Sequence, residues 1–237
     1  MTSLPLLSVM LAASPGGLQF LIESLRAGGL IMLLIILCSV SALSIGIITW
    51  MRMREHLLMP EGVIAQLRQL PHYAAKGDIT PLHQYLDNDG SVLSRLGMIA
   101  VSGMYPSKAE CAEICAAKAR EELHKLERDL PFLEVMVTIA PLLGLLGTTA
   151  GLVGMFSAFG EGSAGGPDTA AIAREIGVAL RCTIAGLLVA VPSVVAHTLF
   201  VRKLDGISMK LETILQDSIQ LFYQNFEVQR SIVNNGH

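Results

Sequence analysis

Three long apolar stretches organise the chain, and between them charged residues recur every few positions. The first runs from Gly28 to Trp50 without a charge and is rich in leucine and isoleucine. A helix of about 23 residues covers the roughly 30 Å hydrocarbon core of a bilayer. Trp50 closes this stretch where an indole is favoured at a membrane surface, and Arg52 and Arg54 follow at once. The second runs from Leu133 to Phe159, with Glu134 at its entry and Pro141 expected to kink it or loosen its backbone bonding. The third runs from Ile176 to Val201, between Arg174-Glu175 and Arg202-Lys203, with Arg181 inside it. The pattern predicts an all-α, three-span integral membrane protein whose long helices extend into a helical cytoplasmic domain.

The intervening polar segments also read as helical. Ser107 to Leu130 alternates small apolar residues with Glu, Lys and Arg, and Glu121 with Lys125 and His124 with Arg128 sit at i, i+4 spacing. Pro71, Gly77 and Pro81 break Pro60 to Asp89 into short helices. The second span is expected to extend inward through Arg120 to Leu130. Residues 160–175 form a turn between the second and third spans, glycine-rich from Gly160 to Asp168, with Asp168-Thr169 capping the next helix. Residues 202–237 form a C-terminal helix.

Basic loops stay in the cytoplasm. The segment 51–132 holds ten Lys and Arg, the tail after 201 holds four, and the segment 1–27 holds only Arg26. The N-terminus is therefore expected in the periplasm and the C-terminus in the cytoplasm of a bacterial inner membrane. Met1 to Ser14 lacks the positive start of a signal peptide and reads as an apolar lead-in before the first span.

Composition agrees. The 237 residues are 52% hydrophobic and 16% charged, where soluble domains carry about 25% charge. A net charge of −3 offers nothing to nucleic acid. Cys38, Cys111, Cys115 and Cys182 form no CxxC pair and read as reduced thiols used as small side chains. Neither a metal site nor a cofactor is indicated. No nucleophile–base pair or phosphate loop appears, which argues against an enzyme.

The candidate chemistry lies inside the spans. Gly144, Gly147, Gly151 and Gly154 share one face of the second span, a pattern that lets a neighbouring backbone approach closely in lipid. Thr148 flanks that face. Along the third span, Glu175, Ala179, Thr183, Gly186, Ala190, Ser193 and His197 make one stripe of small and polar residues. Thr148 and Thr183 each lie about 15 Å below the same surface, so they are expected to meet near mid-membrane. Their hydroxyls can bond each other, a backbone carbonyl, a water, or a carboxylic acid from another chain. No Asp or Glu lies mid-span, so a proton path along the stripe needs a carboxylate from a partner.

Ala140-Pro141-Leu142-Leu143-Gly144-Leu145-Leu146-Gly147-Thr148 in the second span resembles the ExbB/TolQ branch of the MotA/TolQ/ExbB proton-channel family. So do Glu175-Ile176-Gly177-Val178-Ala179-Leu180, Thr183, and Gly186 to Pro192 in the third. The resemblance implies a homopentamer whose second and third spans line a pore. An ExbD- or TolR-like single-span partner would sit inside and supply a membrane aspartate. The assembly would couple the proton motive force to transport of large substrates or to envelope maintenance, through a TonB-like or TolA-like periplasm-spanning protein. Thr148 and Thr183 match the family's pore threonines, and Glu175 its acidic residue near the outer mouth. Arg181 and His197 depart from the pattern. A non-conducting scaffold that clusters a partner is an alternative. A MotA-type flagellar stator is another, although four spans would be expected of it. Sodium in place of protons also stays open.

Overall fold

The computed structural model describes the backbone of residues 17–76, 78–160 and 169–234, and side chains within 29–76, 78–157 and 169–225. Among the described residues every regular element is an α-helix. Three helices are long and apolar enough to cross a membrane. The lead-in Met1 to Ser14, Gly77, and the turn residues 161–168 with the Asp168 cap lie outside the described residues.

Helix α1 is Gly17–Arg52, and it is kinked at Gly29 (φ 55°, ψ −141°). That positive-φ backbone lies outside the left-handed α region and costs a residue with a β-carbon about 1–3 kcal/mol, whereas glycine adopts it readily. From Gly29 to Arg52 the helix is long and apolar enough to cross a membrane. Helices α2 (Glu55–Leu58), α3 (Glu61–Arg68), α4 (Leu70–Lys76), α5 (Thr80–Asp89), α6 (Val92–Ala100) and α7 (Lys108–Glu127) follow. Pro71 and Pro81 fall in the first turns of α4 and α5, where a missing N–H breaks no bond.

Helix α8 is Leu130–Gly160 and continues through Pro141. The second span extends inward as expected: the helical run continues from Lys108 to Ser157, and Arg128 keeps a helical backbone (φ −49°, ψ −34°). Only the hydrogen-bond ladder is missed at Arg128-Asp129, because Pro131 has no N–H for the Glu127 carbonyl and crowds it. Helix α9 is Thr169–Asn234, a single helix of 66 residues. It takes in residues 169–175 and runs on past residue 202. Arg202 and Lys203 mark an interface by their charge, yet both are good helix formers, so the backbone does not stop with the hydrocarbon.

The chain divides into two compact units. One holds the residues up to Gly46 and Phe132–Ala196; the other holds Ile47–Pro131 and the chain from His197 onward. In the first unit Met32, Ile35 and Ala185 are buried together, with Ile31, Ile36, Leu143 and Val189 against them. Its outer surface is apolar, as a lipid-facing surface must be.

The second unit has a conventional core. Val63, Leu67, Leu70, Leu82, Leu86, Leu93 and Leu96 from the short helices pack with Cys111 and Cys115 of α7 and with Ile207, Leu211, Leu215 and Ile219 of α9. Ser91 and Ser107 cap α6 and α7, accepting from the N–H of Ser94 (3.1 Å) and Glu110 (3.2 Å). Arg52 pairs with Asp129 at 2.7 Å and Lys210 with Glu55 at 3.0 Å. Lys203 Nζ sits 5.1 Å from the centre of the Trp50 ring. Lys125 meets Glu121 at 3.1 Å as the spacing predicts, whereas His124 turns to Glu127 at 3.5 Å and not toward Arg128.

Candidate functional site

The candidate site is the seam between α8 and the membrane part of α9. The glycine face of α8 is what allows it. A β-carbon on Gly144 would stand 3.1 Å from both the Cys182 carbonyl oxygen and the Thr183 Cα. On Gly147 it would collide with the Cys182 side chain, and on Gly151 it would stand 2.7 Å from the Ala179 Cβ. From the other side, a β-carbon on Gly186 would stand 2.6 Å from the Ala140 carbonyl oxygen. Backbone meets backbone here, which in lipid maximises dispersion contact between helices.

The polar groups sit along this seam. Thr183 is half-buried, and its hydroxyl donates across the seam to the Gly144 carbonyl at 3.2 Å. Thr148, also half-buried, donates to the Leu145 carbonyl of its own helix at 2.7 Å. The two threonines lie within about a turn of the same level, but each hydroxyl is turned to a carbonyl and not to the other. The opposite number of Thr183 is Gly144, and Thr148 flanks the contact face. The Glu175 carboxylate lies at the end of the seam nearer the start of α9, where its Oε2 is 3.0 Å from the place a Gly154 Cβ would occupy. Ser193 is buried and donates to the Val189 carbonyl at 2.7 Å.

The stripe reading of α9 needs one adjustment. Ala179, Gly186, Ala190 and Ser193 are buried, but Cys182 is more fully enclosed than Thr183 and is the residue that meets Gly147. The sequence held the signal: 175, 179, 182 and 186 is also a run of threes and fours. Thr49 escaped sequence reasoning altogether. It is 1% exposed, and its Oγ1 has no hydrogen-bond partner among the described residues.

A threonine hydroxyl that donates to a carbonyl still has lone pairs to offer. It can accept from a protonated carboxyl, and by rotating its O–H it can donate to an ionised one. Neutral hydroxyls at this depth can therefore serve both forms of a carboxylic acid.

The comparisons with known proteins agree on one group. The model of the MotA/TolQ/ExbB proton channel family matches residues 93–213, which include α8 and the part of α9 that forms the seam. An ExbB-like biopolymer transport protein of Synechocystis is 28% identical over 173 residues, 72% of each chain. The biopolymer transport protein exbB1 of Vibrio cholerae is 38% identical over 96 residues, 40% of this chain and 42% of the relative. The biopolymer transport protein ExbB of Helicobacter pylori is 38% identical over 85 residues, 36% of this chain and 57% of the relative. The match thus spans most of the first relative and about half of the other two.

Proposed function

We infer the function from one premise: the chain belongs to the MotA/TolQ/ExbB proton channel family, and the relatives it matches are ExbB-type biopolymer transport proteins. It is a membrane protein of that transport family. The finer reading is a motor subunit of a bacterial inner membrane, with its N-terminus in the periplasm and its C-terminus in the cytoplasm. Copies assemble as a ring, a pentamer by the family resemblance. The ring holds an ExbD- or TolR-like single-span partner that supplies a membrane aspartate. A TonB-like or TolA-like protein carries the work of the proton motive force across the periplasm.

The seam is the observation that carries this reading. Two threonine hydroxyls lie near mid-span, Glu175 lies nearer the start of α9, and among the described residues no carboxylate lies between them. Thr148 and Thr183 would hydrogen-bond the partner's aspartate in both its protonated and ionised forms. Glu175 would hold protons near the outer mouth. Gly144, Gly147, Gly151, Gly154 and Gly186 would set the spacing of the helices around that path.

The double variant T148V/T183V tests this. It keeps shape and removes both hydroxyls. We expect a complex of unchanged mass, with proton flux in reconstituted vesicles and energised transport in cells both abolished. Full flux in that variant would sink the assignment. The close glycine packing alone would also suit a non-conducting scaffold. That reading requires E175A to be tolerated and no response to collapse of the proton gradient.

A further inference from the structure

Arg181 lies well inside an apolar helix, and an arginine side chain stays charged in any protein environment. A buried charge in a membrane requires a partner or a route to water. Its Nε donates to the Gly177 carbonyl at 3.2 Å, which draws the half-buried guanidinium one turn toward the start of α9. Gly177 leaves room for that path: Nη2 is 3.9 Å from the place a Gly177 Cβ would occupy. No ion pair to Arg181 or Arg174 occurs among the described residues.

Position on the helix narrows the partner. At 100° per residue Arg181 lies about 160° round α9 from Thr183, so it faces away from the candidate proton path. Glu175 is about 120° round the helix and reaches into the seam at Gly154, so the two do not meet within one chain. Arg174, which is exposed, lies within about 20° of the Arg181 line and roughly 10 Å nearer the end of the helix. Beside Arg181 the surface is apolar, with Ile184 52% and Leu188 61% exposed. Two aligned cations above an apolar strip match an anion whose lower part is hydrocarbon. A guanidinium holds a phosphodiester through two parallel hydrogen bonds.

We propose that Arg181 and Arg174 bind the phosphodiester of one membrane phospholipid on the flank of α9 that faces away from the seam. The Arg181 side chain rises along the helix to reach it, and the acyl chains lie over Ile184 and Leu188. Arg174 supplies the second cation.

The test is native mass spectrometry of the full-length complex, released in mild detergent and then titrated with phosphatidylglycerol or inorganic phosphate. We expect the wild type to retain one phospholipid per chain, and R181Q and R174Q each to lower that occupancy at least tenfold. R181K should retain part of it. Phosphatidylglycerol should raise the wild-type Tm but not that of R181Q. Inorganic phosphate at the same concentration should not occupy the site. If R181Q fails to assemble, R174Q carries the same comparison. Equal lipid retention in wild type and R174Q overturns the proposal, as does occupancy by inorganic phosphate alone. Recovery of a stable complex by R181E/E175R, where each single change disrupts it, overturns it as well, because Arg181 then pairs with Glu175 of a neighbouring copy.

Discussion

Gly186 and Gly46 are both helical glycines in apolar sequence, yet alanine would meet different surroundings at the two. At Gly186 the new methyl would stand 2.6 Å from the Ala140 carbonyl oxygen, a backbone atom with nowhere to go. At Gly46 it would meet nothing within 4 Å. G186A is expected to destabilise by about 1–3 kcal/mol through overpacking. G46A is expected to be neutral, or stabilising by up to about 1 kcal/mol through helix propensity. Thermal unfolding of the detergent-solubilised protein separates them. Thr49 gives a second contrast, since its buried hydroxyl satisfies no hydrogen bond among the described residues. T49V should raise stability by about 1 kcal/mol by removing that orphan without changing shape. A fall in Tm would mean that a water or a partner chain serves the hydroxyl. At this scale the sequence was legible where spacing carries the message. The glycine face of α8 follows from steps of three and four. What spacing cannot give is the rotation of one helix against another. The near match in depth of Thr148 and Thr183 was readable for that reason, and the turning of each hydroxyl to a carbonyl was not.

At the scale of elements, charge marks where hydrocarbon ends, and helices end for other reasons. The three spans were legible because runs of leucine, isoleucine and glycine without charge have few alternatives. The ends of the helices were not. α9 passes Arg202 and Lys203 unbroken, while the ladder between α7 and α8 misses a bond at Arg128-Asp129, where Pro131 has no N–H, although the helical run continues. The four cysteines illustrate how elements hide side chains. Cys111 and Cys115 lie one turn apart on the core face of α7 and are each 1% exposed, and Cys182 is enclosed by the α8 glycines. We expect an aqueous maleimide to leave Cys111 and Cys115 unlabelled in the folded protein and to label both after denaturation. Fast labelling of either in the native state would contradict the packing of α7 against α9.

At the scale of the whole molecule, the small polar helices are anchored by the latter part of α9. Leu211 is 1% exposed among Val63, Leu67, Leu82 and Leu86 of α3 and α5. L211A should cost about 2–5 kcal/mol, as large core truncations do. The expected reading is a lower Tm with the helical content of the apolar spans preserved. Circular dichroism during heating would show it as an early partial loss of helix.

The seam between α8 and α9 imposes a condition of phase. Glu175, Ala179, Cys182 and Gly186 fall on one side of α9 and meet Gly154, Gly151, Gly147 and Ala140 of α8 in turn. Successive members are three or four residues apart, so the row keeps step with a helix of about 3.6 residues per turn. Substitutions on the other side of α9 can be absorbed locally, but a change of length within the row cannot. One residue inserted between Ala179 and Cys182 would swing Cys182 and Gly186 by about 100° relative to Ala179 and carry them off the α8 glycines. The row is thus fixed in count as well as in composition, like a rack whose teeth must keep their pitch.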